Sequence, residues 1–232
     1  MASQIQTEKN IYVLGDKQVV GAKNLQIFTI SFIEQNLLLN DYDGIIFTSK
    51  NAVLGINKCN DSWKNIPAYA IAQRTGDVVN EIGGSLKFVG TKKHGDDFAH
   101  ELAELFQNSA KNYESKKIKK LLYIRGKEVV SNLVSILKTN SKDTIECHEL
   151  VVYETICKDY ENIEPLPKGS IIIFSAPSTI KCFLNNNLWD DSFKAIAIGK
   201  TTAKYFPPYI KPILSDDVSL EACVAKALEV LA

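Results

Sequence analysis

Short runs of consecutive apolar residues alternate along this chain with longer stretches in which apolar residues recur every three or four positions. The short runs predict buried strands and the longer stretches predict amphipathic helices. Strands are predicted at 45–47, 68–72, 86–89 and 119–124; helices are predicted to begin near 49–51 and at 75, and to span 96–107 and 129–137. This alternation is typical of βαβ units around a parallel sheet.

The pattern then repeats. Ile45-Ile46-Phe47-Thr48-Ser49-Lys50-Asn51-Ala52-Val53 matches Ile172-Ile173-Phe174-Ser175-Ala176-Pro177-Ser178-Thr179-Ile180, with Thr48 and Ser175 127 positions apart (175 − 48). Ala70-Ile71-Ala72-Gln73-Arg74-Thr75 matches Ala197-Ile198-Gly199-Lys200-Thr201-Thr202 at the same offset. The second copy predicts strands at 170–174, 195–198 and 210–214 and helices at 178–184, 201–205 and 220–231. We interpret the chain as one α/β unit built twice, with a period longer than that of solenoid repeats.

Two further stretches predict how the copies are joined. Residues 25–33 and 146–156 alternate apolar and polar positions, and the second is too long for a central strand of a small sheet, which favours a connecting strand. The stretch 162–169, with Pro165 and Pro167, marks the crossing into the second copy. That copy lacks leading strands, so the N-terminal strand at 11–14 is expected to complete its sheet.

The predicted fold is therefore α/β, with two similar parallel-sheet, flavodoxin-like lobes joined by a two-stranded β-ladder. The first lobe is discontinuous and comprises residues 1–26, which are abridged, and 159–232. The second lobe comprises 39–145, and 27–38 and 146–158 form the ladder. Two such lobes are expected to face each other across a cleft.

Composition narrows the class of protein. The 232 residues are 45% hydrophobic and 23% charged, as in an ordinary soluble globular protein, and no apolar run approaches a membrane span. Met1-Ala2-Ser3-Gln4 does not resemble a secretory signal. Lys and Arg together number 27, as do Asp and Glu, which argues against a general nucleic-acid binder. The five scattered cysteines predict free thiols in a reducing cytoplasm rather than a disulfide framework.

Small hydroxyl residues follow the predicted strands in both copies, at Thr48-Ser49, Thr75, Ser175-Ser178 and Thr201-Thr202. Ligands of open α/β sheets gather at the carboxyl ends of the strands. Helix N-termini at that edge present unpaired N–H groups that favour a carboxylate or a phosphate. The alternative is that the hydroxyls only cap helices. Their recurrence at matching positions favours an anion-binding role for the set.

Other signals are absent or weak. The sequence contains no GxGxxG, GxxxxGK[ST], HExxH or GxSxG motif. Cys147-His148 suggests half of a metal site, but adjacent strand residues point to opposite faces, which disfavours it. The run Lys116-Lys117-Ile118-Lys119-Lys120 is interpreted as a solvated approach to a strand.

Tyr153 is the single residue whose side chain is best suited to take part in catalysis. It lies on the predicted connecting strand, beside the expected cleft. A phenol with a pKa near 10 stays protonated and can donate a hydrogen bond to a leaving oxygen. The alternative is an aromatic side chain packed at a domain junction, and spacing alone favours it slightly.

The chain resembles the uroporphyrinogen-III synthase family of tetrapyrrole biosynthesis. The resemblance depends on five pieces in the family's order, covering the chain from about Asp41 onward: Phe47-Thr48-Ser49-Lys50-Asn51-Ala52-Val53, Tyr123-Ile124-Arg125-Gly126, Val152-Tyr153-Glu154-Thr155, Phe174-Ser175-Ala176-Pro177-Ser178 and Ala197-Ile198-Gly199-Lys200-Thr201-Thr202-Ala203. Each piece is weak alone, and their order and spacing make the match specific.

The resemblance implies a cofactor-free hydro-lyase that closes the linear hydroxymethylbilane, with its eight carboxylates, to uroporphyrinogen III and inverts ring D through a spiro intermediate. It implies a catalytic Tyr153, which assists loss of the ring A hydroxyl. The substrate-binding residues are expected to be Thr48, Ser49, Thr75, Arg125, Gly126, Ser175, Ser178, Gly199, Thr201 and Thr202. A cytoplasmic monomer is expected, without a nucleic-acid or membrane partner, and a transient contact with the preceding pathway enzyme is left open.

Two departures from the family pattern stand out. The usual first strand, Arg-Pro turn and full helix are abridged around residues 15–23, and Ala72-Gln73 replaces a glycine-led turn before Thr75. Two rival functions follow. One is a non-catalytic two-lobed binding protein for a carboxylate-rich small molecule, and the other is a degenerate paralogue retained for protein contacts.

Overall fold

The structure of the protein is a computed structural model that describes residues 10–15, 17–36, 38–92, 94–110, 119–141, 144–159, 165–186 and 188–231. The chain divides into two compact units. Unit 1 combines Met1–Thr29 with Ile156–Ala232, and unit 2 is Ile30–Thr155. The stretch Met1–Gln4, residues 116–118 of the lysine run and residues 162–164 of the proline-containing crossing lie outside the described residues.

A six-stranded sheet forms the centre of unit 2. Its strands are β3 (Phe28–Phe32), β4 (Gly44–Phe47), β5 (Ala68–Ala70), β6 (Leu86–Val89), β7 (Lys119–Gly126) and β8 (Ile145–Cys157), arranged in the order β3-β8-β7-β4-β5-β6. The helices are α1 (Lys50–Cys59), α2 (Gln73–Glu81), α3 (Gly95–Ala110) and α4 (Leu133–Asn140), with a 3₁₀ turn at Asp61–Asn65. The pairs from β8 to β6 are parallel, as the strand–helix alternation predicts.

Both faces of this sheet are buried, which explains why its strands appear as continuous apolar runs. Ile45 and Phe47 point to the face covered by α1, α2 and Trp63, whereas Ile46 points to the face covered by α3 and α4. Phe47 and the fully buried Trp63 meet edge to face, with ring centroids 5.4 Å apart. The period of two along β4 therefore divides one apolar run between two cores.

Unit 1 contains a five-stranded parallel sheet. Its strands are β1 (Ile11–Leu14), β2 (Lys23–Leu25), β9 (Ile171–Phe174), β10 (Lys194–Ala197) and β11 (Ile213–Leu214), in the order β11-β10-β9-β1-β2. Its helices are α5 (Pro177–Asn185), the single-turn α6 (Lys200–Ala203) and α7 (Leu220–Leu231). Within the described residues 17–22, no helix separates β1 from β2.

The internal repeat extends through whole elements of the two units. β9, α5, β10, α6 and β11 lie 127 positions beyond β4, α1, β5, α2 and β6, and both sets occupy the same places in their sheets. The two remaining strands of each unit, β1-β2 and β7-β8, take equivalent places as well, although one pair precedes its repeat and the other follows it. The α/β class with two similar parallel-sheet units is thus confirmed.

Several element boundaries differ from the prediction. Val129 and Val130 are not helical and are 42% and 54% exposed, because α4 begins only at Leu133. The predicted strand at 25–33 is divided into β2 and β3. The strand at 210–214 shortens to Ile213–Leu214, since Pro212 cannot donate a ladder hydrogen bond. Leu54 is exposed on α1, although its apolar neighbours Val53 and Ile56 are buried.

The expectation of five free thiols is wrong for two of them. Cys157, at the end of β8, and Cys182, in α5, form a disulfide bond with Cα atoms 5.0 Å apart. The sequence does not indicate this bond, because the two cysteines are 25 residues apart and only the folding of unit 1 brings β8 beside α5. Cys59, Cys147 and Cys223 are free. None of the helices in the described part of the chain combines the length and hydropathy needed to cross a bilayer.

Candidate functional site

The carboxyl ends of the parallel strands of unit 2 bring together residues that are far apart in sequence. Thr48 and Ser49 follow β4, Thr75 lies in the first turn of α2 after β5, and Arg125 and Gly126 end β7. Tyr153 lies on β8 opposite Gly126. Since these strands run parallel, their carboxyl ends form one edge, where ligands of α/β sheets bind.

An irregularity in the pairing of β7 with β8 positions Tyr153. Arg125 pairs with Val151, but Gly126 pairs with Tyr153, so the register shifts by one residue. Val152, which the shift skips, is fully buried and packs against Gly55 of α1. The phenol of Tyr153 lies over Gly126, where a Cβ atom would stand 2.7 Å from Cζ and 3.0 Å from the hydroxyl oxygen. Only glycine at position 126 leaves room for this ring.

The environment of Tyr153 keeps its phenol protonated. Burial raises the pKa of Tyr153, and a hydrogen bond with the Ser49 side chain partly opposes that rise. Ser49 also caps α1, because its Oγ accepts a hydrogen bond from Asn51 N at 3.1 Å. Tyr153 is thus a neutral hydrogen-bond donor at physiological pH, held beside the start of a helix.

A second phenol lies at the same edge. Tyr123 is 2% exposed, and its hydroxyl lies 2.9 Å from Thr48 Oγ1. Burial raises the pKa of Tyr123, and hydrogen bonds with Thr48 and Ser131 oppose the rise, with the nearby Tyr153 raising it slightly. From sequence alone neither Tyr123 nor Ser131 has an assigned role. The available signal is one phenol in the otherwise aliphatic run Leu121–Ile124.

Arg125 is engaged by the protein itself. Its Nε lies 2.7 Å from Glu149 Oε1, in an ion pair that lacks the alignment of a hydrogen bond. Its Nη1 donates to the carbonyl oxygens of Gly126, at 3.0 Å, and Lys127, at 3.2 Å. The guanidinium therefore stabilises the backbone at the end of β7 around Gly126. A substrate carboxylate would have to compete with Glu149 for the Arg125 guanidinium.

The N-cap positions of the helices show which of the candidate hydroxyl residues cap a helix and which do not. Ser49 caps α1, but the N-cap residues of α2, α5 and α6 are Ala72, Ala176 and Gly199, none of which makes a side-chain cap hydrogen bond. At α5, Thr179 Oγ1 instead accepts a hydrogen bond from Ala176 N at 3.4 Å. Among the candidate hydroxyl residues, Ser49 is therefore the one that acts as an N-cap. The remaining helical hydroxyls, Thr75, Ser178, Thr201 and Thr202, lie within first turns.

Unit 1 gathers the other predicted residues at the equivalent edge of its own sheet. Ser175 and Ser178 follow β9 and are half-buried; Gly199, Thr201 and Thr202 follow β10, with Thr202 buried. Gly199 has an extended φ of −179°, and a Cβ there would make only an ordinary contact of 3.5 Å with Val218. Glycine is therefore not required at position 199 as it is at 126.

The Cys147-His148 pair does not form part of a metal centre in the described residues, where no cluster of three or more potential ligands occurs. The Cys147 thiol lies against the core, where burial raises its pKa to about 12. His148 lies within hydrogen-bond distance of Tyr42, at 3.0 Å, and Glu146, at 2.7 Å. The two residues thus have separate environments.

Comparisons with known proteins identify the family of the chain. The family model described as uroporphyrinogen-III synthase HemD matches residues 27–225. The uroporphyrinogen-III synthetase of Helicobacter pylori 26695 is 27% identical, with a TM-score of 0.75, and the alignment covers 96% of this chain and 99% of that one. A mutant uroporphyrinogen III synthase of the extremely thermophilic bacterium Thermus thermophilus shares the fold, with a TM-score of 0.52 at 9% identity over 95% and 97% of the two chains. No curated protein matches the chain. Because the family model spans most of its length, the chain belongs to the uroporphyrinogen-III synthase family.

Proposed function

We propose that the protein converts hydroxymethylbilane to uroporphyrinogen III by a dehydrating cyclisation that inverts ring D. The observation that carries this proposal is the neutral phenol of Tyr153, held over Gly126 at the carboxyl edge of unit 2 in a chain of this family. The raised pKa of Tyr153 suits a hydrogen-bond donor to a leaving oxygen, because the phenol keeps its proton until the bond breaks.

The chemistry balances without an external reagent. The C–O bond of the ring A hydroxymethyl group breaks as the pyrrole nitrogen supplies electrons, and the departing oxygen takes the Tyr153 proton and leaves as water. Ring D then attacks the ring A methylene through its substituted α-carbon, which gives the spiro intermediate. The bond between that carbon and the ring C methylene breaks, and this methylene bonds to the unsubstituted α-carbon of ring D, which closes the macrocycle. The proton lost when the last pyrrole regains aromaticity returns to Tyr153. Since there is no net oxidation or reduction, the proposed reaction requires no redox cofactor.

Binding of the eight carboxylates is assigned to helix ends and hydroxyls. The N-terminus of α2 presents backbone N–H groups beside Thr75. At α5, Pro177 has no N–H and Thr179 N donates to Ala176 O at 3.1 Å, so the proposed contribution there is the N–H and hydroxyl of Ser178, together with the hydroxyl of Ser175. Gly199, Thr201 and Thr202 at the end of β10, and Thr48, Ser49, Arg125 and Gly126 in unit 2, complete the proposed set. Because the free bilane closes to the wrong isomer, holding one geometry supplies much of the catalysis.

The remaining proposals follow the family. The protein is proposed to act in the cytoplasm as a monomer, without nucleic-acid or membrane partners. The Cys157–Cys182 disulfide is unusual for a reducing compartment. A brief contact with the enzyme that supplies the bilane would shorten the time in which the substrate can close alone.

The test is an isomer assay. Hydroxymethylbilane is generated in situ, the protein is added, and the oxidised type I and type III porphyrins are separated by chromatography. Predominantly type III product is expected. Type I product alone from folded protein would reject the proposal, and if bilane or product then bound without turnover, the two-lobed binding function would replace it.

A further inference from the structure

We propose that Tyr123 is a positioning residue for this reaction: its buried hydroxyl holds Thr48 and Ser131 in one chain of hydrogen bonds beside Tyr153. This inference rests on the proposed function. It adds two residues, Tyr123 and Ser131, that have no part in the proposed catalytic and binding set.

The first argument is the cost of burying the hydroxyl. Tyr123 is 2% exposed among Phe98, Leu121 and Leu133, in a core where phenylalanine would fill the same space. A buried hydroxyl destabilises a protein unless it is hydrogen-bonded. Here the oxygen reaches Thr48 at 2.9 Å and also bonds with Ser131, so the hydroxyl is satisfied at the edge of the core that faces the site.

The second argument concerns the segment that carries Ser131. The connection between β7 and α4 is held by α3, because Asn132 N donates to Asp96 Oδ1 at 2.7 Å. A Cβ atom on Gly95 would stand 2.6 Å from Ser131 Oγ, so only the absence of a side chain at Gly95 allows this approach. The hydrogen bond with Tyr123 adds a third contact. The half-buried Ser131 and its neighbour Asn132 are thus held both by α3 and by β7.

The third argument is chemical. Each of the three hydroxyls can both donate and accept, so Thr48, Tyr123 and Ser131 can orient as one chain in either direction. Tyr123 is the central member. With it, the orientation of Thr48 depends on that of Ser131; without it, each hydroxyl rotates independently at the edge where Tyr153 donates its proton. Loss of the central hydroxyl should therefore disorder the polar groups that surround the leaving oxygen.

The decisive variant is Tyr123→Phe, with Tyr69→Phe as its matched control. Tyr69 lies on β5 of the same sheet, separated from β7 by β4, and packs on Phe106 with centroids 5.0 Å apart; it also loses a single hydroxyl in the control. Tyr123→Phe is expected to lower kcat about five- to tenfold, the effect of one lost hydrogen bond. KM should change less than kcat, and the share of type I product should rise. Tyr69→Phe should match the wild type in rate and isomer ratio.

A double-variant cycle separates positioning from a general structural defect. The cycle combines Tyr123→Phe with Thr48→Val, which removes the Thr48 hydroxyl and keeps the shape of the side chain. If Tyr123 acts through Thr48, the Tyr123→Phe/Thr48→Val protein should be no slower than the slower single variant. Multiplying effects, or wild-type rate and isomer ratio in Tyr123→Phe, would overturn the inference.

Two further measurements keep the result interpretable. If Tyr123→Phe fails to fold, Ser131→Ala removes the half-buried end of the same chain and should raise the type I share on its own; a wild-type ratio there would overturn the inference. Type III formation by the wild-type protein is established first. Its absence would reject the proposed function, whereas its presence with an insensitive Tyr123 would reject only the positioning role.

Discussion

Unit 1 and unit 2 share one strand order, yet they differ in the connection that completes each sheet. In unit 2, β7 and β8 are joined through α4, and this segment supplies Tyr123, Arg125, Gly126, Ser131 and Tyr153. In unit 1, β1 and β2 are joined by residues 15–22, with no helix within the described residues 17–22. The repeated part of each unit therefore offers hydroxyls and helix ends, whereas the phenols of Tyr123 and Tyr153 come from the β7–β8 segment of unit 2, which lies outside the sequence repeat.

The comparison suggests a division of labour. Under the proposed function, unit 1 would contribute helix N-termini and hydroxyls that suit carboxylate binding, while unit 2 would contribute the same elements and, in addition, the proton donor Tyr153. If this division is correct, substitutions in the β7–β8 segment of unit 2 should change kcat, and substitutions at the edge of unit 1 should change mainly KM.

The largest effect is expected for Tyr153→Phe. Removing a proton donor should lower kcat by about 10²- to 10⁴-fold, because general acid catalysis typically contributes that much. Ser178→Ala in unit 1 is the comparison and should raise KM with little change in kcat. The measurement is the initial rate of type III formation, with circular dichroism as a check on folding. Unchanged kcat in Tyr153→Phe would remove the catalytic role from unit 2.

The next effect concerns stability and unit 1 alone. Reducing the Cys157–Cys182 bond should lower the free energy of unfolding by about 3 kcal/mol, the value expected for a closed loop of this length. The pair should stay close after reduction, because Asn186 Nδ2 donates to the carbonyl oxygens of Lys158 and Cys182. Thermal unfolding with and without dithiothreitol measures the change. The unfolding temperature of a Cys157→Ser/Cys182→Ser protein should not change with the reductant. If it fell as much as that of the wild-type protein, the effect of the reductant would not come from this disulfide.

A pair of glycine substitutions compares the two edges directly. Gly126→Ala places a Cβ 2.7 Å from the Tyr153 ring and should destabilise the protein by about 1–3 kcal/mol, as overpacking does, while displacing the phenol and lowering kcat. Gly199→Ala should be nearly neutral, since the equivalent residue in unit 2 is Ala72. Urea unfolding and the isomer assay report both properties. If alanine had the same small effect at positions 126 and 199, the described packing of the Tyr153 ring on Gly126 would be contradicted.

Cys147 predicts a pH effect specific to unit 2. Its folded pKa, raised to about 12 by burial, exceeds the ordinary value of 9, so the folded state retains a proton that the unfolded chain loses. This contribution to stability is complete below pH 9 and is lost as the pH rises towards 12, by at most about 1.4 kcal/mol per pH unit. Cys147→Ala should show a shallower alkaline decline of the unfolding midpoint. Parallel declines would mean that the thiol is not buried as described.

The smallest effect comes from capping α5. Ala176 is the counterpart of the capping residue Ser49, so Ala176→Ser should stabilise unit 1 by about 1 kcal/mol. Ala176→Asp should stabilise it similarly but raise KM several-fold, because its charge would repel a substrate carboxylate at the same helix end. Differential scanning calorimetry and steady-state kinetics measure the two quantities. An unchanged KM in Ala176→Asp would place carboxylate binding away from α5.

The sequence by itself determined the elements and their repetition. Buried runs such as Ile45–Phe47 and Ile171–Phe174 predict central strands because both faces of a parallel sheet exclude water, and the constant offset of 127 reveals the duplication. The strand pattern also placed the hydroxyl residues after strands and Tyr153 on the connecting strand, and the order of motifs shared with the family supplied their expected roles.

Only the tertiary structure decided which of these residues meet. The register shift that seats Tyr153 on Gly126 depends on how β8 aligns with β7, and no local pattern encodes it. The sequence does not indicate a role for Tyr123, because the hydropathy pattern of a strand with a buried tyrosine is the same whether or not the tyrosine hydroxyl forms hydrogen bonds. The cap of α1, and its absence from the N-cap residues of α2 and α5, likewise depend on the local backbone dihedrals. Periodicity reports burial, whereas the Thr48–Tyr123 hydrogen bond, the disulfide and the β7–β8 register depend on distances between segments that the chain separates by 25 residues or more.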